Sequence, residues 1–252
     1  MIKKQINPKY EFLSRHLSQL ITHHYFNTQG ELLFAGRNTI KRFCLKGIDV
    51  VVKQYGHITV FNQLMYSTFR KSKATRAFLH ATKLRTLGIS TPEEIGVIEV
   101  FKNGILQESY FVSTYSNYNS MAFLRDIGFD RKNMYPLINA LVEWIVKVHD
   151  KGILHQDLNV SNILYKECSD KTYEFQVIDN NRMKFSQNPS INIRLKNLSR
   201  LSVDFELHNY ILKQYAHRVN HSCDKVQMKG CFYKLMLEYR QLSKKWIKQF
   251  CT

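Results

Sequence analysis

In the stretch "ILHQDLNVSNILYK", Ile153 to Lys166, the residues His155, Asp157 and Asn162 fall within eight positions between two runs of branched apolar residues. A carboxylate in such a gap can orient a hydroxyl and accept its proton, and amide and carboxylate oxygens suit a hard divalent cation. Singly, each residue is ordinary. An Asp and an Asn in a loop usually serve turn chemistry, and a lone histidine is most often a satisfied core residue. Two further charges stand at the ends of apolar runs: Lys53 in "VVVKQY" and Asp179 in "YEFQVIDNN". Lys53 alone would be a solvated strand residue; the order of the whole set is what calls for a common scaffold.

The surrounding periodicity supplies that scaffold. Glu31 to Tyr55 reads as three short antiparallel strands, with turns at Gly36-Arg37-Asn38 and Lys46-Gly47. A polar, basic connection follows. Then Ala74, Ala77, Phe78, Ala81 and Leu84 recur at helical spacing, with Ser72 as N-cap and Gly88 as the stop. After Pro92, two strands are joined by the turn Lys102-Asn103-Gly104. Five strands and one helix make a small α+β lobe.

Beyond Tyr118 the pattern turns mainly helical. Leu137, Ala140, Leu141, Trp144, Ile145 and Val148 form a wide apolar stripe on a helix that Gly152 caps. That helix delivers the chain directly into the polar gap. Two short strands, "NILY" and "YEFQVID", come next, and then a helical tail with Trp246 and Phe250 as candidate anchors.

Taken in this order, the H-x-D-x-x-x-x-N pattern of His155, Asp157 and Asn162, the strand ending in Asp179 and the strand lysine Lys53 resemble the protein-kinase-like superfamily. The implied fold is α+β and two-lobed, with a small antiparallel-sheet N-lobe at 1–118 and a mainly helical C-lobe at 119–252 that together form one kinase-like domain. Within the superfamily, "FAGRNTIKRF", "STFRKSKATRAF", "GISTPEEIGVIE", "GILHQDLNVSNILY" and "VIDNNRMKF" are similar to segments of the bacterial lipopolysaccharide kinase family, Kdo/WaaP type.

That resemblance implies a phosphotransferase using ATP and magnesium, with a sugar hydroxyl of Kdo or heptose in the inner core as acceptor. Asp157 would orient and deprotonate the hydroxyl, Asn162 and Asp179 would be metal ligands, and Lys53 would contact the nucleotide phosphates. Gly36 and Arg37 offer the one candidate turn to cover those phosphates, since no G-x-G-x-x-G loop is present. Arg70, Lys71, Lys73 and Arg76 would face Kdo carboxylates, lipid A phosphates or anionic headgroups; the competing reading of that run is a solvated start of a helix.

Several residues depart from the protein-kinase pattern. Gln156 stands where most protein kinases carry arginine, Asn159 replaces a lysine, no A-P-E follows Asp179, and Asn180-Asn181 replace Phe-Gly. These changes point to a small-molecule or glycolipid acceptor. The helix glutamate that usually holds the strand lysine is missing: Leu79 aligns there, and no acidic residue occurs from Val50 to Pro92. Either another carboxylate, such as Glu93, Glu94 or Glu108, reaches Lys53, or nucleotide phosphates alone hold it. The second case would fit a slow enzyme or a pseudokinase that binds a partner or an anionic membrane.

Composition narrows the setting. The chain has 252 residues, with 37 Lys+Arg against 20 Asp+Glu, for a net charge of +17. Such a surface attracts polyanions: nucleic acid, an anionic membrane surface or a phosphorylated substrate. No recognised RNA or DNA module accompanies the charge, which disfavours nucleic acid. No apolar run reaches the roughly 18 residues of a membrane span, and the start, "MIKKQINPKYEF", is no signal peptide. The expected location is therefore cytoplasmic, and the family resemblance implies a peripheral place on the inner membrane. The five cysteines contain no C-x-x-C pair and read as reduced thiols. His217, His221, Cys223 and Cys231 fit no standard zinc spacing and read as ordinary helix and loop residues.

Overall fold

The structure, a computed structural model, describes residues 1–56, 71–125, 132–168 and 171–250. The chain divides into two compact units: Met1–Asn117 with Asp179–Asn181, and Tyr118–Ile178 with Arg182–Thr252.

The first unit begins with strand β1 (Ile2–Ile6), then short helices α1 (Ser14–Leu20) and α2 (His23–Thr28). Strands β2 (Glu31–Ala35), β3 (Asn38–Leu45) and β4 (Ile48–Tyr55) follow, then helix α3 (Lys73–Thr86) and strands β5 (Glu94–Lys102) and β6 (Ile105–Thr114). The six strands form one antiparallel sheet in the order β1-β5-β6-β4-β3-β2. The β3–β4 and β5–β6 hairpins both turn on two residues with positive φ, Lys46-Gly47 (50° and 79°) and Asn103-Gly104 (52° and 76°). This geometry matches the twist of the flanking strands.

Alternation along β4 decides what each face of the sheet does. Val50 and Val52 point into a core shared with Leu13, Leu17, Leu20 and Phe26 of the N-terminal segment. Tyr55, one register step of opposite parity, joins Ala74 and Phe78 of α3 on the other face, together with Val97. Lys53 shares the parity of Tyr55, so it is delivered to the α3 face. Helix α3 is capped as the sequence predicts: the Ser72 side chain accepts from Thr75 N, and Ile89 N donates to Leu84 O beyond the last turn.

The sequence reading of this unit as five strands and one helix needs an addition. β1 pairs with β5, and α1 and α2 cover the core. β1 was missed because "IKKQI" lies on the sheet edge with four of its five residues exposed, so it has no apolar alternation to detect. The buried Lys41 on β3 ties α2 to the sheet: its Nζ donates to the carbonyls of Phe26, Asn27 and Gln29 at 2.7, 3.0 and 3.0 Å. These are the carbonyls that a helix C-terminus leaves without partners.

The second unit is built on helix α4 (Tyr135–Asp150). Around it lie β7 (Asn119–Ser120), β8 (Ile153–His155), β9 (Ile163–Glu167), β10 (Tyr173–Val177) and β11 (Met183–Phe185), followed by α5 (Ile191–Leu198), α6 (Phe205–Arg218) and α7 (Cys223–Phe250). The apolar stripe of α4, including Leu141, Val142 and Ile145, packs with Leu195 and Leu198 of α5 and Ile211, Leu212 and Tyr215 of α6. β9 and β10 form the predicted pair of strands, and β8 pairs with β11. Trp246, expected as an anchor, is 63% exposed. The Phe250 side chain and Arg70 lie outside the described residues.

Candidate active site

In the first unit, Lys53 at the end of β4 places Nζ 2.6 Å from Asp179 Oδ1. The pair is largely shielded, with side-chain exposures of 12% and 26%. Asn181 Nδ2 donates to the same carboxylate oxygen. Asp179 itself holds φ at +58°, a left-handed conformation that an Asp tolerates better than most residues and that costs energy, so it persists only where its surroundings impose it. Here the next residue is clamped. Asn180 is buried, its Nδ2 donates to Thr91 Oγ1 at 2.8 Å, and its carbonyl accepts from His80 Nδ1 at 2.6 Å.

A carbonyl can only accept, so His80 is protonated on Nδ1. Burial, with the nearby charges of Arg76, Lys83 and Lys71, pulls its pKa below that of a free histidine despite this bond. Burial likewise raises the Tyr55 hydroxyl well above its ordinary value, and the Asp179 charge adds to the shift.

The missing helix glutamate is thus answered by another carboxylate, though none of the three named glutamates: the carboxylate beside Lys53 is Asp179. Glu93 is engaged by Lys9, Tyr10 and Arg85, Glu94 by Thr82 and Arg85, and Glu108 by Tyr110. Leu79 packs instead against the cluster of Tyr55, Ala74, Phe78 and Val97. The Gly36-Arg37 turn joins β2 to β3, and Arg37 is exposed. Gly56 anchors this turn, because a Cβ there would sit 1.9 Å from Arg37 O. Its N–H donates to Asn38 Oδ1 at 3.3 Å.

In the second unit, the polar gap is a tightly tied loop. His155 is 2% exposed. Its Nδ1 accepts from Asp157 N at 3.0 Å, so its Nε2 carries the proton that meets Ile178 O at 3.0 Å. The neutral ring thus links the loop to the end of the strand that precedes Asp179. Asn162 Nδ2 donates to Asp157 O at 2.9 Å, which leaves Oδ1 as the atom suited to a cation. Asp157 is half-exposed, with Arg182 Nη1 3.4 Å from its Oδ2.

Three groups hold this loop in roles that the sequence did not reveal. Asn159 caps the short 3-10 turn by accepting from Ser161 N, and its oxygen also takes Arg125 Nη2 and Ser202 Oγ, each at 2.6 Å. Arg182 faces Asp157 from 25 positions away. Beneath the loop, Asn197 Nδ2 donates to His155 O at 2.7 Å, and Asn197 Oδ1 lies 3.1 Å from His149 Nε2. The other nitrogen of His149 lies 2.8 Å from the Tyr215 hydroxyl. Burial lowers the His149 pKa to about 4 and raises that of Tyr215 to about 12, so both are neutral near pH 7. No local pattern marks these partners, because each is brought in by a different helix.

Comparison with known proteins identifies the fold and the family. The solved structure of WaaP in complex with acyl carrier protein superposes with a TM-score of 0.60 at 14% identity, over 96% of this chain and 98% of that one, which shows the fold. The probable serine/threonine-protein kinase ifkC of Dictyostelium discoideum is 36% identical over 62 residues, which is 24% of this chain and only 4% of that protein. Residues 49–220 match the lipopolysaccharide kinase (Kdo/WaaP) family. That span contains the strand of Lys53, the loop of Asp157 and the carboxylate of Asp179, and on its strength the chain belongs to the lipopolysaccharide kinase (Kdo/WaaP) family.

Proposed function

We propose that this family member is an ATP-dependent kinase that phosphorylates a sugar hydroxyl, Kdo or heptose, of a lipopolysaccharide or lipid A-core glycolipid. The observation that carries the reading is the shielded Lys53–Asp179 pair, an ammonium and a carboxylate 2.6 Å apart across 126 positions of sequence. The two charges are of the kinds a nucleotide phosphate and its divalent ion require.

Asp157 is assigned the acceptor hydroxyl, which it orients and from which it takes the proton. Its half-exposed carboxylate suits contact with a substrate, while Arg182 restrains the rotamer. Lys53 is assigned the α/β-phosphates. The Gly36-Arg37 turn is assigned to cover them, with backbone N–H groups and the arginine charge. The oxygen donors of Asn162 and Asp179 fit a hard cation, and these two residues would hold magnesium. When bound, the ion would neutralise charge on the phosphates. Lys71, Lys73 and Arg76 are assigned to acidic groups of the acceptor or to anionic headgroups at the inner face of the membrane, which makes the setting cytoplasmic and peripheral. WaaP was solved with acyl carrier protein, so a carrier protein is a further partner to test for this chain.

Leu79 in place of an acidic helix residue favours a second reading, a kinase-like pseudoenzyme. Transfer of labelled γ-phosphate to Kdo- and heptose-terminated lipid A acceptors, with and without magnesium, separates the two. Transfer that Asp157→Ala abolishes supports the kinase; weak, metal-independent nucleotide binding with no transfer supports the pseudoenzyme.

A further inference from the structure

Helix α7 has two apolar faces. The inner one packs on the second unit: Val226 is 3% exposed, and a Cβ at Gly230 would sit 2.4 Å from Leu212. On the opposite face, Met228, Phe232, Leu235, Tyr239, Leu242 and Trp246 recur at intervals of four and three residues. Each is more than half exposed, from 54% at Leu235 to 68% at Tyr239. At 100° per residue they form one narrow stripe along most of a 28-residue helix about 42 Å long. Soluble surfaces rarely carry so continuous an apolar patch unless something covers it.

We infer that this stripe docks on an anionic phospholipid surface, with α7 lying in the plane of the interface. Charge selects this occupant. Lys225, Lys229 and Arg240 flank the stripe on one side and Lys245 on the other, all exposed. Of the two acidic residues on the helix, Glu238 is paired with Lys234. Large aromatic rings between basic borders are the composition of interfacial helices, whose rings settle at the headgroup level while lysines reach the phosphates. A second copy of the chain would bring the same cationic borders against each other, on a molecule of net charge +17. The inference deepens the proposed function by naming the surface that would bring the chain to a glycolipid acceptor. It is tested without turnover, so failure of either leaves the other distinguishable.

The test is flotation of the full chain with phosphatidylcholine vesicles and with equal parts phosphatidylcholine and phosphatidylglycerol, alongside emission from Trp246 in a Trp144→Phe background. Binding to the anionic vesicles only, with blue-shifted Trp246 emission, is expected. The exposed triple variant Phe232→Ser, Leu235→Ser and Leu242→Ser should lose binding at least tenfold with an unchanged circular dichroism spectrum. Should that variant lose helix content, Lys229→Gln with Lys245→Gln decides instead, with a loss of about fivefold per lysine that added salt mimics. Unchanged vesicle binding in both variants would overturn the inference. So would a lipid-free dimer that dissociates in the triple variant, because a second copy would then occupy the stripe.

Discussion

The loop around Asp157 and the cluster around Asp179 each present a carboxylate, and they hold it by different means. Asp157 sits on a backbone fixed by neutral hydrogen bonds from His155, Asn162 and, one layer below, Asn197 and His149, while its own carboxylate stays half-exposed. Asp179 is held through its charge, by Lys53 and Asn181, on a backbone in a left-handed conformation. In the first case the scaffold and the reactive group are separate, so the carboxylate can be changed without disturbing the fold. In the second they are the same atoms. The two aspartates should therefore respond differently to equivalent substitutions.

The largest expected effect is on activity. If Asp157 takes the acceptor proton, Asp157→Ala should lower turnover by about 10²- to 10⁴-fold. Its exposed pairing with Arg182 contributes under about 1 kcal/mol, so the melting temperature should hardly move. A large loss of stability in this variant, measured by denaturant unfolding, would break the separation of scaffold and reactive group.

Next is the buried layer beneath the loop. Asn197→Ala removes the donor to His155 O and leaves two buried groups unpaired, which should cost about 2–3 kcal/mol. The same layer carries a pH signature. The folded pKa of His149, about 4, lies below the ordinary 6.5, as does that of His208, also about 4. The folded chain binds fewer protons than the unfolded chain in this window, so their contribution is complete above pH 6.5 and is lost as pH falls towards 4. The slope should approach about 1.4 kcal/mol per pH unit for each histidine. His149→Gln should remove about half of it, as read from urea midpoints across that range.

A smaller change in stability is expected at the charge-held carboxylate. Asp179→Asn keeps a residue that tolerates positive φ but strands the Lys53 ammonium, at about 1–2 kcal/mol, less than a fully buried pair would cost. Asp179→Ala adds the strain of a left-handed alanine, about 1 kcal/mol more. Equal melting temperatures for the two variants would show that the backbone there is not constrained. Smallest is Ser72→Ala, which removes the N-cap of α3 for about 1 kcal/mol.

The parts of this molecule that were legible in the sequence are those governed by neighbours along the chain. Ser72 as a cap, the Lys46-Gly47 and Asn103-Gly104 turns, the α4 stripe and the His155-to-Asn162 spacing all declare themselves within a few residues. What stayed hidden depends on partners far away: Asp179 beside Lys53, Arg182 beside Asp157, and Arg125 and Ser202 on Asn159. β1 was hidden for another reason, since an exposed edge strand needs no apolar period. Trp246 misled because a large aromatic at helical spacing usually faces a core, and here it faces outward.

The most direct test is the magnesium-dependent rise in melting temperature on adding ATP, with wild type, Asp157→Ala and Asp179→Ala compared at ligand concentrations well above Kd. Nucleotide binding through Lys53 and Asp179, with Asp157 reserved for the acceptor, predicts equal stabilisation of wild type and Asp157→Ala, about 3 kcal/mol at a hundredfold excess over Kd, and none for Asp179→Ala. Full stabilisation of Asp179→Ala, or no response in the wild type, would contradict it.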